Sequence, residues 1–322
     1  MISVDQVCAA LGAGQEHLEA LIITIEDGDA YIIRERRGHT IYVPRPWWAT
    51  VGKELHRFLK TRIAYQPPHF VYGFIKGRST LENARNHLDK DCVLRIDIKK
   101  FFPSISDDRI IRSLQVHGFA SDAATLVARL VCVNGGLAIG VSASPLLSNL
   151  VMAETDEAIR ALALDNNLVF TRYVDDLVFS GSLATREDGD AFADKVRAEL
   201  ATHGWTVNET KTAFMRRGGP QYVTGLYVGD SARPHVPRDL KRSLRWIVRM
   251  IEAVGYETYM RDFSGEHLGH YRRHLLGLAR YIASIDGRVG RALLTRLEEV
   301  IPEYDAGEDD ADYYGYLEDF DF

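Results

Sequence analysis

Residues 168 to 180, LVFTRYVDDLVFS, read as two short apolar strands around a polar tip, Val174-Asp175-Asp176. Two adjacent carboxylates at the end of an apolar hairpin repel one another, and a bound divalent cation removes that cost. A second apolar strand, Cys92 to Ile98, carries Asp97 at its end, 78 residues before Asp175. A lone aspartate at a strand end is usually a turn or capping residue. Three of them on strands that can share a sheet form a set of hard oxygen donors, which is what phosphoryl transfer assisted by two divalent metals requires.

The rest of the chain supplies elements for such a sheet. Residues 1 to 26 have apolar positions at helical spacing, and Tyr31-Ile32-Ile33 and Thr40-Ile41-Tyr42-Val43 form a β-rich pair closed by Pro44 and Pro46. Residues 51 to 65 read as a helix that stops at Pro67-Pro68, followed by a Gly-rich turn, GFIKGRST, and a helix carrying ENARNHL. Helical spacing recurs over 107–133, 144–164 and 186–202. Beyond Pro237 the chain is helical and basic, with Arg238, Lys241, Arg242, Arg245 and Arg249 three to four residues apart. The expected class is α+β.

With 322 residues and 46% hydrophobic content, the chain can bury a large core. A net charge of −6 argues at first against a nucleic-acid partner, but nine acidic residues and no Lys or Arg lie between Glu303 and Phe322. The remaining 302 residues hold 39 basic against 36 acidic side chains, about +3. No run of eighteen apolar residues and no leader-like start occur, so we expect a cytoplasmic protein without a membrane partner. Cys8, Cys92 and Cys132 are scattered in apolar contexts and read as reduced core residues.

LRIDIKKFFPSI, RYVDDLVFSG, GWTVNETKT and VTGLYV follow one another in an order that resembles bacterial reverse transcriptases over roughly residues 40 to 285. Asn83-Ala84-Arg85-Asn86-His87 and Val223-Thr224-Gly225 look like the two signature elements of the retron group. The resemblance implies a right-hand polymerase fold with fingers and palm (antiparallel sheet plus helices) and a small helical thumb. It partitions the chain into N-terminal helices and a hairpin start (1–40), mainly fingers with palm helices (41–92 and 107–165), a palm catalytic core (93–106 and 166–230), a thumb (231–302) and an acidic aromatic tail (303–322). It also implies an enzyme that copies a cognate structured non-coding RNA from an internal 2′-hydroxyl into branched RNA-linked DNA. Deoxynucleotides are the substrates, and an effector protein acts with the enzyme in anti-phage defence.

The site that the resemblance implies centres on Asp97, Asp175 and Asp176 as ligands of two Mg²⁺ ions, with Mn²⁺ as a substitute and the backbone carbonyl of Ile98 as a further ligand. Phe102 falls where a bulky ring lies under the sugar and clashes with a ribose 2′-hydroxyl. Lys76 and Arg78 in the Gly-rich turn are placed to reach the triphosphate, Arg78 being the better candidate through its planar fork. Lys211 is expected near the nucleotide or braced on the aspartates, and Gly140 where template or nucleotide approaches bare backbone. Asn83 and His87, four apart, suit either an RNA contact or an anchoring hydrogen bond. Val223, Thr224 and Gly225 are expected to help recognise the RNA. Arg238, Lys241, Arg242 and Arg245 are expected to track a phosphate backbone, with Trp246 and Tyr271 for stacking.

One departure stands out: where many reverse transcriptases have Leu-Pro-Gln-Gly, this chain has Leu137-Ala138-Ile139-Gly140, and Ile139 offers no side-chain hydrogen bond. Two other functions stay open on the sequence: a solitary or abortive-infection reverse transcriptase, and a nucleic-acid-binding scaffold without catalysis. The tail has too much like charge to fold alone yet many aromatics, and is expected to dock on a basic, grooved partner, with the thumb as the alternative.

Overall fold

Ser3 closes a capping box with Gln6 at the head of α1, Val4–Leu11, and Gly12 ends it in the left-handed region. The computed structural model describes residues 1–302 apart from 37, 184, 230–231 and 265–267, so the tail lies outside the described residues. After α2, Gln15–Glu26, strands β1, Tyr31–Arg36, and β2, His39–Pro44, pair antiparallel. α3 runs over Pro46–Arg62. It begins earlier than apolar spacing indicates, because Pro46 is pre-set for the first helical turn. α4, Thr80–Arg85, has its own capping box from Ser79 and Glu82, and stops before His87.

β3, Cys92–Asp97, leads into the short α5, Phe101–Ser104. The helical span expected over 107–133 is two helices, α6, Asp107–Val116, and α7, Ser121–Val131, parted at Gly118 (φ 86°). A two-residue pair, β4, Cys132–Val133, and β5, Gly136–Leu137, precedes α8, Ser144–Asp165. Then come β6, Val169–Tyr173, β7, Asp176–Gly181, α9, Arg186–Thr202, and β8, Ala213–Arg216. A small hairpin, β9, Tyr222–Val223, and β10, Leu226–Tyr227, joins this part to α10, Arg238–Val254. α11, Tyr256–Tyr259, one π-helical turn at Met260–Ser264, α12, Leu268–Ile285, and α13, Gly287–Val300, complete the described chain.

The central sheet has the order β6-β7-β3-β8 and is antiparallel throughout. Its residues alternate between two faces. Leu94, Ile96, Phe170, Leu177 and Phe179 point into the larger core, which continues through α1 to α3 and α5 to α9. Val93 and Val178 join a second core with Ala84, the β9–β10 hairpin and the C-terminal helices. The sheet is therefore shared by both cores. Cys8, Cys92 and Cys132 are free thiols, the last two buried. No helix among the described residues is long and apolar enough to cross a membrane.

The sheet face toward the second core accommodates both signature segments, and there His87 makes the anchoring hydrogen bond that was one of its two expected roles. His87 is fully buried, just past the end of α4, with Nδ1 2.7 Å from Ser180 Oγ on β7 and Nε2 2.7 Å from Thr171 Oγ1 on β6. Asn83 and Val223 are also fully buried, so all three side chains are packed within the fold. Thr224 (φ 45°) and Gly225 (φ 78°) make the two-residue turn between β9 and β10, a geometry needing positive φ at both positions. Thr224 Oγ1 donates to the Thr80 carbonyl at 3.0 Å, tying that turn to α4. The two segments are thus one structural clasp that fastens α4 to the sheet on one side and to the hairpin on the other.

Burial, with a smaller contribution from Lys90, pushes the His87 imidazole down from 6.5 to about 3. The unfolded ring takes up a proton near pH 6.5 while the native ring stays neutral, so stability falls as pH drops from there toward 3. Between pH 6.5 and about 5, the wild-type chain should lose about 1.5 kcal/mol more than a His87→Gln variant. Urea melts at both pH values give this difference directly; equal losses would mean that the ring charges in place.

Candidate active site

Register decides where the aspartates meet. Asp97 on β3 lies directly opposite Asp176 on β7, and the Ile98 N–H donates to the Asp175 carbonyl at 3.0 Å. Asp97 is 3% exposed, whereas Asp175 and Asp176 are half-buried. Burial raises the Asp175 carboxyl, and the charge of Asp97 adds to it. Burial likewise pushes Asp176 up to about 6, with Arg95 pulling the other way and Asp175 and Asp97 adding to the rise. Two cations moderate this crowding. Lys211 Nζ donates to Asp97 Oδ2 at 3.0 Å, and Arg95 Nε lies 3.9 Å from Asp176 Oδ1. Partial burial opposes the Lys211 charge, but its bond to Asp97 and the neighbouring carboxylates outweigh this and raise it.

Asp175 and Asp176, whose negative forms are disfavoured by burial and by neighbouring carboxylates, together with Asp97 suit a hard divalent cation, which accepts oxygen ligands and removes the repulsion. The donor set fits Mg²⁺ or Mn²⁺ by its chemistry. In the arrangement seen, Lys211 and Arg95 carry the compensating charge, and among the described residues no three acidic, imidazole or thiol groups close around one point.

The turn that presents Asp175 is held from beneath by a group the sequence alone does not single out. Val174 sits at φ 59°, a strained conformation for a β-branched residue. Arg172 on β6, fully buried, donates through Nη1 to the Val174 carbonyl at 2.9 Å. It also forms a two-pronged pair with Asp156 of α8, Nε to Oδ1 at 2.6 Å and Nη2 to Oδ2 at 2.7 Å. Nη2 further reaches Asn149 Oδ1 at 3.1 Å, and Asn149 Nδ2 donates to the Gly73 carbonyl at 3.0 Å. Gly73 lies so close that a Cβ there would sit 2.4 Å from the Val174 nitrogen. An Arg two residues before the tip is the sequence signal for this cluster, while Asn149 and Asp156 are not set apart by sequence from the other polar residues of α8, such as Glu154, Glu157 and Arg160.

Phe102 is half-buried, its ring edge-on to Phe101 at 5.5 Å and to Phe74 at 6.0 Å. Arg78 corrects its expected role: the guanidinium donates to the carbonyls of Pro67 (3.1 Å), Pro68 and Val71 and so ties its own loop together. Lys76 is exposed in the same loop. Gly140, at φ 119°, has no room for a side chain because the Tyr42 carbonyl would be 2.3 Å from a Cβ. What its bare backbone admits is β2, and Tyr42 N–H donates to the Ile139 carbonyl at 2.8 Å.

On α10, Arg238, Arg242 and Arg245 are exposed, as is Trp246 at 53%. Lys241 departs from the expected basic face: it forms a largely buried pair with Asp286 at 2.6 Å, which also holds His235 at 3.1 Å, so its charge is used within the fold. Tyr271 stacks on Tyr259 at 6.2 Å.

An antiparallel sheet with carboxylates opposed at the ends of two adjacent strands, helices packed on one face and a helical unit against the other, is a right-hand polymerase fold. Residues 44–263 match the family described as reverse transcriptase (RNA-dependent DNA polymerase), and the chain belongs to that family. Its likeness is to the retron type. It is 30% identical to the retron Mx162 reverse transcriptase of Myxococcus xanthus over 83% of this chain and 59% of that one. It is 26% identical to the retron Ec86 reverse transcriptase of Escherichia coli over 84% and 79%. The chain thus spans 59% of the length of the Mx162 relative. Among solved structures, a foamy viral protease-reverse transcriptase in complex with double-stranded DNA aligns with a TM-score of 0.47 and 15% identity, over 89% of this chain and 42% of that one.

Arg172→Met leaves Asp156 buried without its partner, which costs about 3–5 kcal/mol. Denaturant melts should show a loss of that size, and a loss under about 1 kcal/mol would remove Arg172 from the centre of the cluster.

Proposed function

We propose that the chain is an RNA-directed DNA polymerase that copies a cognate structured non-coding RNA, primed from an internal 2′-hydroxyl, into single-stranded DNA left branched to its RNA. The observation that carries this reading is the pairing of Asp97 with Asp176, with Asp175 on the adjoining turn, in a chain whose relatives are retron reverse transcriptases.

Asp97, Asp175 and Asp176, with the Ile98 carbonyl, would hold two Mg²⁺ ions, for which Mn²⁺ can substitute. When bound, the ions would supply charge stabilisation for the attacking hydroxyl and the departing pyrophosphate. Lys211, seated on Asp97, keeps that carboxylate oriented and carries a positive charge beside the reacting phosphates. Lys76 reaches the triphosphate from its exposed loop, and Gly140 belongs to the wall of the nucleotide site. Phe102 lies under the sugar and excludes a 2′-hydroxyl by its bulk. Arg238, Arg242 and Arg245, with Trp246 beside them, grip the phosphates and bases of the product duplex. The division into fingers, palm and thumb with the boundaries given above is part of the same reading. So are a cytoplasmic place of work and an effector partner in anti-phage defence, which the acidic tail, 303–322, recognises through its charge and aromatic rings.

Nucleic acid copurifying with the full chain tests the proposal. A branched species, in which RNase leaves DNA attached to a short RNA stub, is expected from the wild type. Asp175→Asn with Asp176→Asn should abolish it while leaving thermal unfolding cooperative. Unlinked DNA from the wild type, or a product that persists in the double variant, would overturn the reading.

A further inference from the structure

Phe74 is a bulky residue at φ 60°, a left-handed backbone that such side chains rarely adopt. Its neighbours hold it there. The Gly73 carbonyl before it is bonded to Asn149, the Tyr72 N–H donates to the Arg172 carbonyl at 2.8 Å, and Gly73 itself is pressed against Val174. Strain of this kind persists only where surrounding structure imposes it, and it gathers at functional sites.

The imposed conformation brings one feature into place: the Phe74 ring stands edge-on to Phe102, centroids 6.0 Å apart and planes at 74°. Phe102 has a second ring contact, Phe101, 5.5 Å away at 81°. Phe101 is buried and lies against Trp205 at 5.6 Å, so that contact is anchored in the core. The other contact, Phe74, comes from the loop that also touches the turn carrying Asp175. Phe102 is therefore held between a fixed core ring and a ring delivered by the loop.

We propose that Phe74 is a positioning residue for sugar selection: it keeps the Phe102 ring from swinging aside, and so sets how strongly a 2′-hydroxyl is rejected. This rests on the reading of Phe102 as the group under the sugar. A half-buried ring with a single neighbour can rotate about χ1 to make room, whereas a ring contacted on two edges loses packing if it does so.

The test is single-nucleotide extension of a DNA primer on an RNA template by the full chain, comparing kcat/KM for a ribonucleotide and its deoxynucleotide. Phe74→Gly removes the ring together with the backbone strain, and Phe74→Asn does the same with a residue that tolerates left-handed φ. Both should raise the ribo-to-deoxy ratio about tenfold, with little change in deoxynucleotide incorporation. Phe74→Tyr, which keeps the ring, should behave as wild type, and Phe102→Ala should relax selection further.

A purely structural role for Phe74 would lower both rates together and leave their ratio unchanged. If Phe102→Ala relaxes selection and neither Phe74→Gly nor Phe74→Asn does, the inference about Phe74 is wrong and the role of Phe102 stands. If Phe102→Ala leaves the ratio unchanged, the sugar-contact reading falls, and the role of Phe74 with it.

Discussion

A buried guanidinium organises this site. Arg172 joins the carbonyl of Val174, the carboxylate of Asp156 and the amide of Asn149, three groups from two elements, and Asn149 passes the connection on to Gly73. A charge without access to water is costly unless it is paired and hydrogen-bonded, so the geometry around it is narrowly defined. That definition is what the Val174 turn needs. The strained Val174 finds a partner for its carbonyl in the Arg172 guanidinium, immediately before Asp175. The helix α8, the hairpin tip and the loop before Lys76 are coupled through Arg172 and Asn149.

The negative charges sit just above this support. Asp97, Asp175 and Asp176 are crowded enough that burial and repulsion raise the last two, and Lys211 and Arg95 supply positive charge in response. The crowding creates the demand for cations that the proposed chemistry exploits. Beneath the opposite part of the sheet, His87, Thr171 and Ser180 form a neutral clasp, while the C-terminal helices join Val93 and Val178 in one core. The same four strands thus carry a charged site at one end and an apolar joint at the other.

Much of this was legible in the sequence. Alternation of apolar residues around Val174-Asp175-Asp176 and along Cys92 to Ile98 indicated the strands, and helical spacing indicated most helices, because these patterns reflect burial on one face or both. The limits came where tertiary contacts override local pattern. Spacing left Asn83 and His87 open between an RNA contact and an anchoring hydrogen bond, and read Val223 as part of an RNA-recognition element; all three are buried. Arg78 and Lys241 looked like free cations and are bound to carbonyls and to Asp286. Nothing in spacing tells a charge that faces solvent from one that has found a partner far along the chain. Arg172 and Asp156 are 16 residues apart on different elements, and only the fold brings them together.

If the Arg172 cluster aims the carboxylates, cutting it at a member remote from the metal ligands must weaken metal binding. Asn149→Ala removes an acceptor for Arg172 and the donor to Gly73 without touching an aspartate. Electron paramagnetic resonance titration of Mn²⁺ onto the full chain measures the effect. The account predicts that Asn149→Ala, still cooperatively folded, binds Mn²⁺ at least about tenfold more weakly than wild type. Equal Mn²⁺ affinity and an unchanged spectrum in the two proteins would contradict it.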